Sequence, residues 1–150
     1  MPAFVFRAAP VLHLRRQEEE VASRAKAEAE EAVERAQRQL SLAEDTLAER
    51  LREAASIHDP ARREWYRNWI GKQRNEISRA RAMLSDRRVA LQAAIKRLNA
   101  AHRDVRVLER LRDRLHAAWQ LQERRAEQKE LDWLGTVKHA MNTRKGEDQQ

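Results

Sequence analysis

Residues 70–108 read IGKQRNEISRARAMLSDRRVALQAAIKRLNAAHRDVRVL, and this stretch decides the fold. Ile70, Ile77, Leu84, Leu91, Leu98 and Val105 stand seven apart without a break. Ala80, Ala94, Ala101 and Leu108 take the companion positions. A repeat averaging 3.5 residues keeps one narrow stripe turned toward a partner helix while the two supercoil. Toward the N-terminus the interval recurs at Val33, Leu40, Leu47 and Ala54, with Ala29, Ala36, Ala43 and Ile57 beside them. The alanines allow close approach, and charged residues fill the remaining positions. The chain therefore reads as all-α: a long two-helix antiparallel coiled-coil hairpin, with the second helix longer than the first.

The break between the helices lies at Asp59-Pro60. Aspartate caps the free N–H groups of a helix start, and proline suits the first helical position, which needs no donor. The first helix then covers about 11–57, the connection 58–60 and the second helix about 61–142, within one coiled-coil domain. A disordered tail is expected at 143–150. Such a short connection makes the helices antiparallel neighbours.

Composition supports this reading. Charged residues are 37% of the 150 and aromatics 5%, with three Gly and three Pro. A sheet protein needs turn residues every eight to twelve positions or so, and they are missing. The chain has no cysteine, which removes disulfides, thiolate chemistry and cysteine-based zinc sites. No stretch approaches the ~20 apolar residues that span a bilayer. Residues 1–14 are mildly apolar but lack a compact apolar run ending in a cleavage site, so they are read as working protein rather than a targeting peptide.

Length arithmetic points to function. The first helix is about 47 residues, or ~70 Å, and the second about 80, or ~120 Å. Folded at the connection, the first helix is used up when the second reaches about 105–108. Beyond that the second helix is expected to have no intramolecular partner, yet Leu108, Leu111, Leu115 and Trp119, then Leu131, Leu134, Val137 and Met141, continue an apolar stripe. Contiguous exposed apolar surface marks an interface, so this overhang is expected to dock into another protein. Self-association through the same stripe, or a fold-back near Gly135, are the alternatives.

Two further features stand out. Trp65, Tyr66, Trp69 and Ile70 cluster in the first turns of the second helix. They read either as an anchor for a second partner, since Trp and Tyr dominate binding hot spots, or as a plug against Ile57 and Ala54. Charge is also uneven: residues 17–55 hold eleven acidic and six basic residues, and residues 61–115 hold six acidic and sixteen basic. Arg62, Arg63, Arg67, Lys72, Arg74, Arg79, Arg81, Arg87 and Arg88 can meet phosphate backbones, but no nucleic-acid reading motif accompanies them. The five histidines show no metal spacing, and there is no phosphate loop or nucleophile elbow. No catalytic residue, metal, cofactor or small-molecule substrate is expected, and the chain is read as a non-enzyme.

From residue 108 onward the sequence resembles a known family. Leu108-Glu109-Arg110-Leu111 leads to Gln122-Glu123-Arg124-Arg125-Ala126-Glu127-Gln128-Lys129-Glu130-Leu131-Asp132. This is similar to the FliJ family of bacterial type III export proteins, whose Arg-x-Glu-Gln-Lys-x-Leu-Asp pattern is met by Arg125, Glu127, Gln128, Lys129, Leu131 and Asp132. The opening Phe4-Val5-Phe6, Val11-Leu12 and Leu14-Arg15, and the aromatic start of the second helix, also resemble the family. Pro10 falls where the family commonly continues its first helix, and Trp133-Leu134-Gly135 replaces its acidic-small continuation. The resemblance implies a non-enzymatic, cytoplasmic stalk and adaptor at the membrane export apparatus, a monomer. It would insert into the hexameric ring of an export ATPase, promote ring assembly and activity, contact the export-gate membrane protein and escort substrate chaperones. ATPase contact would fall to Leu108, Leu111, Leu115, Trp119, Arg125, Glu127, Gln128, Lys129, Leu131 and Asp132, and the export gate to Trp65, Tyr66, Trp69 and Ile70. The injectisome stalk proteins of YscO type share this architecture and are the nearer alternative; a nucleic-acid-binding basic coiled coil is the more distant one.

Overall fold

A computed structural model of the chain describes residues 2–147. It contains two helices, α1 (Ala9–Ala55) and α2 (Pro60–Glu147), of 47 and 88 residues. The described residues hold no strand. The fold class read from the repeat is the one observed.

The helix ends follow from local chemistry. Asp59 Oδ1 accepts from the Ala61 amide at 3.3 Å, and the Asp59 carbonyl accepts the first helical bond, from Arg63 N at 3.0 Å. Asp59 is thus the N-cap and Pro60 the first helical residue. At the end of α1, Ser56 N bonds Glu53 O and Ile57 N bonds Ala54 O, tightening the last turn and ending the helix at Ala55, two residues before the expected boundary. Arg63 Nε crosses the connection to donate to Ile57 O at 2.8 Å, so a side chain of α2 satisfies a carbonyl left free at the connection.

The other boundaries lie further out than the sequence suggested. Leu12 N donates to Ala8 O at 3.0 Å, so α1 begins at Ala9 and Pro10 sits inside its first turn. No intrahelical donor is needed there, which is why proline does not delay the helix. At the far end α2 runs on to Glu147 rather than stopping near 142, passing through Gly71 and Gly135 without a break or a positive φ. The expected disordered tail therefore begins as helix, and its residues 148–150 lie outside the described residues.

The contacts divide the chain into two compact units: residues 14–104, and the two ends of the chain up to His13 and from Val105. The first unit is the paired hairpin. Ala36, Leu40, Ile77 and Leu84 form its buried centre, with Val33, Ala43, Leu47 and Ala80 packed against it. Cross-helix pairs fix the direction. Arg81 donates to Glu44 at 3.1 Å, Arg88 to Gln37 at 3.1 Å, and His102 Nδ1 lies 2.8 Å from Glu19. Partners fall along α1 as they rise along α2, so the helices are antiparallel. Arg15, 3.0 Å from Glu18 and 3.8 Å from Asp104, is held above its ordinary pKa by the Glu18 hydrogen bond first, then by the Glu18 and Asp104 charges.

In the second unit Leu12 and Val105 are buried. Residues 2–6 before α1 are irregular and 7–8 form a turn, in which Ala9 N donates to Phe6 O at 3.1 Å. Phe4, Phe6 and Ala8 are each half-buried at alternate positions while Val5 is 77% exposed.

Candidate partner-docking interface

The face of α2 after Val105 is where the sequence placed the main contact. Continued past Val105, the seven-residue register falls on Arg112, Trp119, Ala126 and Trp133. The helix thus keeps presenting one side after the short helix has run out of residues.

The first part of that side is not bare. Phe4, Val5, Phe6, Arg7 and Ala8 lie along Leu111, Leu115, Ala118, Trp119 and Gln122, leaving an open groove of about 430 Å³. The Phe4 ring meets His116 edge-on at 4.9 Å and Trp119 at 6.0 Å, and His116 stacks on Trp119 at 5.8 Å. This corrects the expectation that α2 has no intramolecular partner past 108. The length arithmetic counted helix against helix, and the cover here is a non-helical segment. The cover is partial: Leu108 and Trp119 are half-buried, while Leu111 and Leu115 remain 38% and 45% exposed.

The second part is bare among the described residues. From 124 to 147 every residue but Val137 is exposed. Leu131 is 63% exposed, and Trp133, Leu134 and Met141 are similarly open. Arg125, Glu127, Lys129 and Leu131 are exposed, and Gln128 and Asp132 are tied to each other by a 2.9 Å hydrogen bond one turn apart. Asp132 also offers its carbonyl to Thr136 Oγ1 at 2.8 Å. The ten residues assigned from the sequence to one contact thus fall into two sets. Leu108, Leu111, Leu115 and Trp119 share a surface with the chain's own opening residues; Arg125, Glu127, Gln128, Lys129, Leu131 and Asp132 are uncovered.

At the hairpin end the aromatic cluster is also divided. Trp65 is 59% exposed, with the Tyr66 ring at right angles to it at 5.0 Å. Trp69 lies under the Arg50 guanidinium, 5.8 Å from the ring centre. Arg50 is held there by Glu53 at 3.0 Å, whose hydrogen bond and then charge raise the arginine's pKa above its ordinary value. Tyr66 and Ile70 line a groove of about 630 Å³ with Leu51, Ala54, Arg63, Arg67, Gly71 and Arg74. Tyr66, Trp69 and Ile70 are half-buried on the hairpin, and Trp65 projects. The sequence reading missed both Arg50 and Leu51: Arg50 falls in the companion register of α1, seven after Ala43 and seven before Ile57, but breaks its apolar pattern with a charge, and Leu51 lies outside both registers.

No group of histidine and acidic side chains able to hold a metal occurs among the described residues, and no described helix is long and apolar enough to cross a membrane.

Comparison with known proteins agrees with the resemblance. The family model of the flagellar FliJ protein matches residues 5–142. That span runs from the opening segment through α1 and most of α2, past the Glu-Gln-Lys-x-Leu-Asp segment. Comparisons with curated proteins and with solved structures each return no match. With the match reaching from the covered face of α2 to its open end, the chain belongs to the flagellar FliJ protein family.

Proposed function

We propose that this chain is the non-enzymatic stalk and adaptor of a flagellar type III export ATPase. Membership of the family makes it a flagellar export-related protein; the stalk role is the finer reading. One observation carries it: α2 keeps its apolar side through Leu131, Trp133, Leu134 and Met141 after its own chain has stopped covering it. Exposed apolar surface of this kind is what a partner interface needs. The uncovered set Arg125, Glu127, Gln128, Lys129, Leu131 and Asp132 is the primary contact with the ATPase ring, where the chain promotes assembly and activity. Leu108, Leu111, Leu115 and Trp119 extend the same side.

At the other end of the hairpin, Trp65 leads the contact with the export-gate membrane protein, with Tyr66, Trp69 and Ile70 behind it. The chain acts as a cytoplasmic monomer, associates peripherally with the export apparatus, escorts substrate chaperones and uses no cofactor. Against nucleic-acid binding, Arg81 and Arg88 of the basic run are engaged across the hairpin with Glu44 and Gln37.

The test is the pair Leu131→Asp with Leu134→Asp. Both side chains are exposed, so helicity by circular dichroism stays at the wild-type level. Stimulation of ATP hydrolysis by the export ATPase is lost. Full stimulation by the double variant overturns the proposal.

A further inference from the structure

We propose that residues 4–8 are a displaceable strap, which in the free chain covers the first part of the α2 face that the ATPase occupies. The inference rests on the stalk reading above and adds a closed and an open state to it.

Four observations support displacement rather than permanent cover. The strap is neither helix nor strand, ending in a turn at residues 7–8, and lies against a helix whose backbone groups are already bonded to one another, so no ladder of backbone bonds can form between them. What holds it is side-chain packing, chiefly the Phe4 ring against His116 and Trp119. The fit is incomplete: Phe4 and Phe6 are half-buried, Val5 is 77% exposed, and Leu111 and Leu115 beneath remain 38% and 45% exposed. A permanent core would close around such residues. Finally, the covered surface is continuous in register with the uncovered one, since Trp119, Ala126 and Trp133 stand seven apart on α2. A partner helix following that side from Trp133 toward Trp119 arrives at the strap and must share or replace it.

Replacement has a thermodynamic signature. When the binding-competent state is only part of the population, apparent affinity falls by that fraction, and removing the competitor restores it. The chain contains two phenylalanines, Phe4 and Phe6, both in the strap. Biosynthetic labelling with 4-fluorophenylalanine therefore reports on this segment alone.

The experiment titrates the full-length labelled chain with the export ATPase and follows the two fluorine resonances, alongside calorimetric affinities for wild type, Phe4→Ala and Phe4→Leu. Displacement moves both resonances to the position of an unstructured peptide as the ATPase binds. Phe4→Ala binds more tightly, by about three- to tenfold, and Phe4→Leu returns toward wild type. ATPase binding that leaves the fluorine resonances in place, or a Phe4→Ala variant that binds equally or less tightly, overturns the strap and leaves the stalk reading standing. No binding by wild type or by either variant overturns the stalk reading, and competition with it.

Discussion

Between residues 77 and 98 the repeat of α2 lies against α1, and Ile77, Leu84 and Leu98 are all buried. Between 119 and 133 the same interval brings Trp119, Ala126 and Trp133 round to one side of the helix, and none of them is buried. The interval persists while the residues change from Ile and Leu to Trp and Ala, and the occupant changes with them. A seven-residue repeat specifies which side of a helix is apolar, because that depends on helical geometry alone. It does not specify whether the covering surface is a second helix, an extended segment or another protein. In the paired hairpin the cover is α1, and the seam is buried. In the other unit the cover is a few irregular residues and then open surface, and the apolar side stays exposed.

The sharpest way to break this comparison is to put the same charge on both stretches. Leu84→Asp buries a carboxylate at a site 5% exposed, among Ala36, Leu40 and Ile77. An uncompensated buried charge costs about 3–5 kcal/mol, and the expected outcome is a large fall in the denaturant midpoint or loss of the folded hairpin. Leu131→Asp, at a site 63% exposed, changes stability by less than about 0.5 kcal/mol. Equal losses at the two sites in urea melts would show that the open end of α2 is packed in the free chain.

Truncation gives the next effect. Leu40→Ala removes buried methyl groups from the hairpin centre and is expected to cost about 2–4 kcal/mol. Trp133→Ala removes a larger side chain but one that lies open, and the melting curve should stay within about 0.5 kcal/mol of wild type. A Trp133→Ala loss rivalling that of Leu40→Ala would contradict the exposure of this face. Smaller again is Asp59→Ala. It removes the cap on Ala61 N and is expected to cost about 1 kcal/mol, read as a lower midpoint with unchanged cooperativity.

These sites also mark how far the sequence could be read. The hairpin was legible because its causes are local: Asp59-Pro60 names a helix start, and Ile70 to Val105 names a seam. The six exposed residues from Arg125 to Asp132 were legible as a motif. The strap was not, for two physical reasons. Phe4, Phe6 and Ala8 alternate over five residues, too few to distinguish an extended segment from a helix start. Their partner, near Trp119, lies more than a hundred residues along the chain, and a contact at that separation leaves no periodic trace. Pro10 compounded this: the expected helix began after it, at about 11, although proline fits the first helical turn. The division of Trp65 from Trp69 was illegible because it depends on Arg50, a charged residue in the companion register of α1 that meets the ring only after the hairpin closes.

The smallest expected effect is the cross-helix ion pair between Arg81 and Glu44, and it tests what sets register in the paired region. The two groups meet at 3.1 Å with side chains 66% and 44% exposed. At that exposure water and salt screen the attraction, so a double-mutant cycle of Arg81→Ala and Glu44→Ala should return a coupling of about 0.2–1 kcal/mol. In 1 M salt, where the screening length is about 3 Å, the coupling should fall toward zero. The buried residues predict the opposite behaviour, because Leu40→Ala keeps its full cost in salt. If the Arg81–Glu44 coupling instead exceeded the cost of Leu40→Ala, charge rather than the apolar seam would be holding the hairpin. The contrast between a covered and an uncovered repeat would then lose its energetic basis.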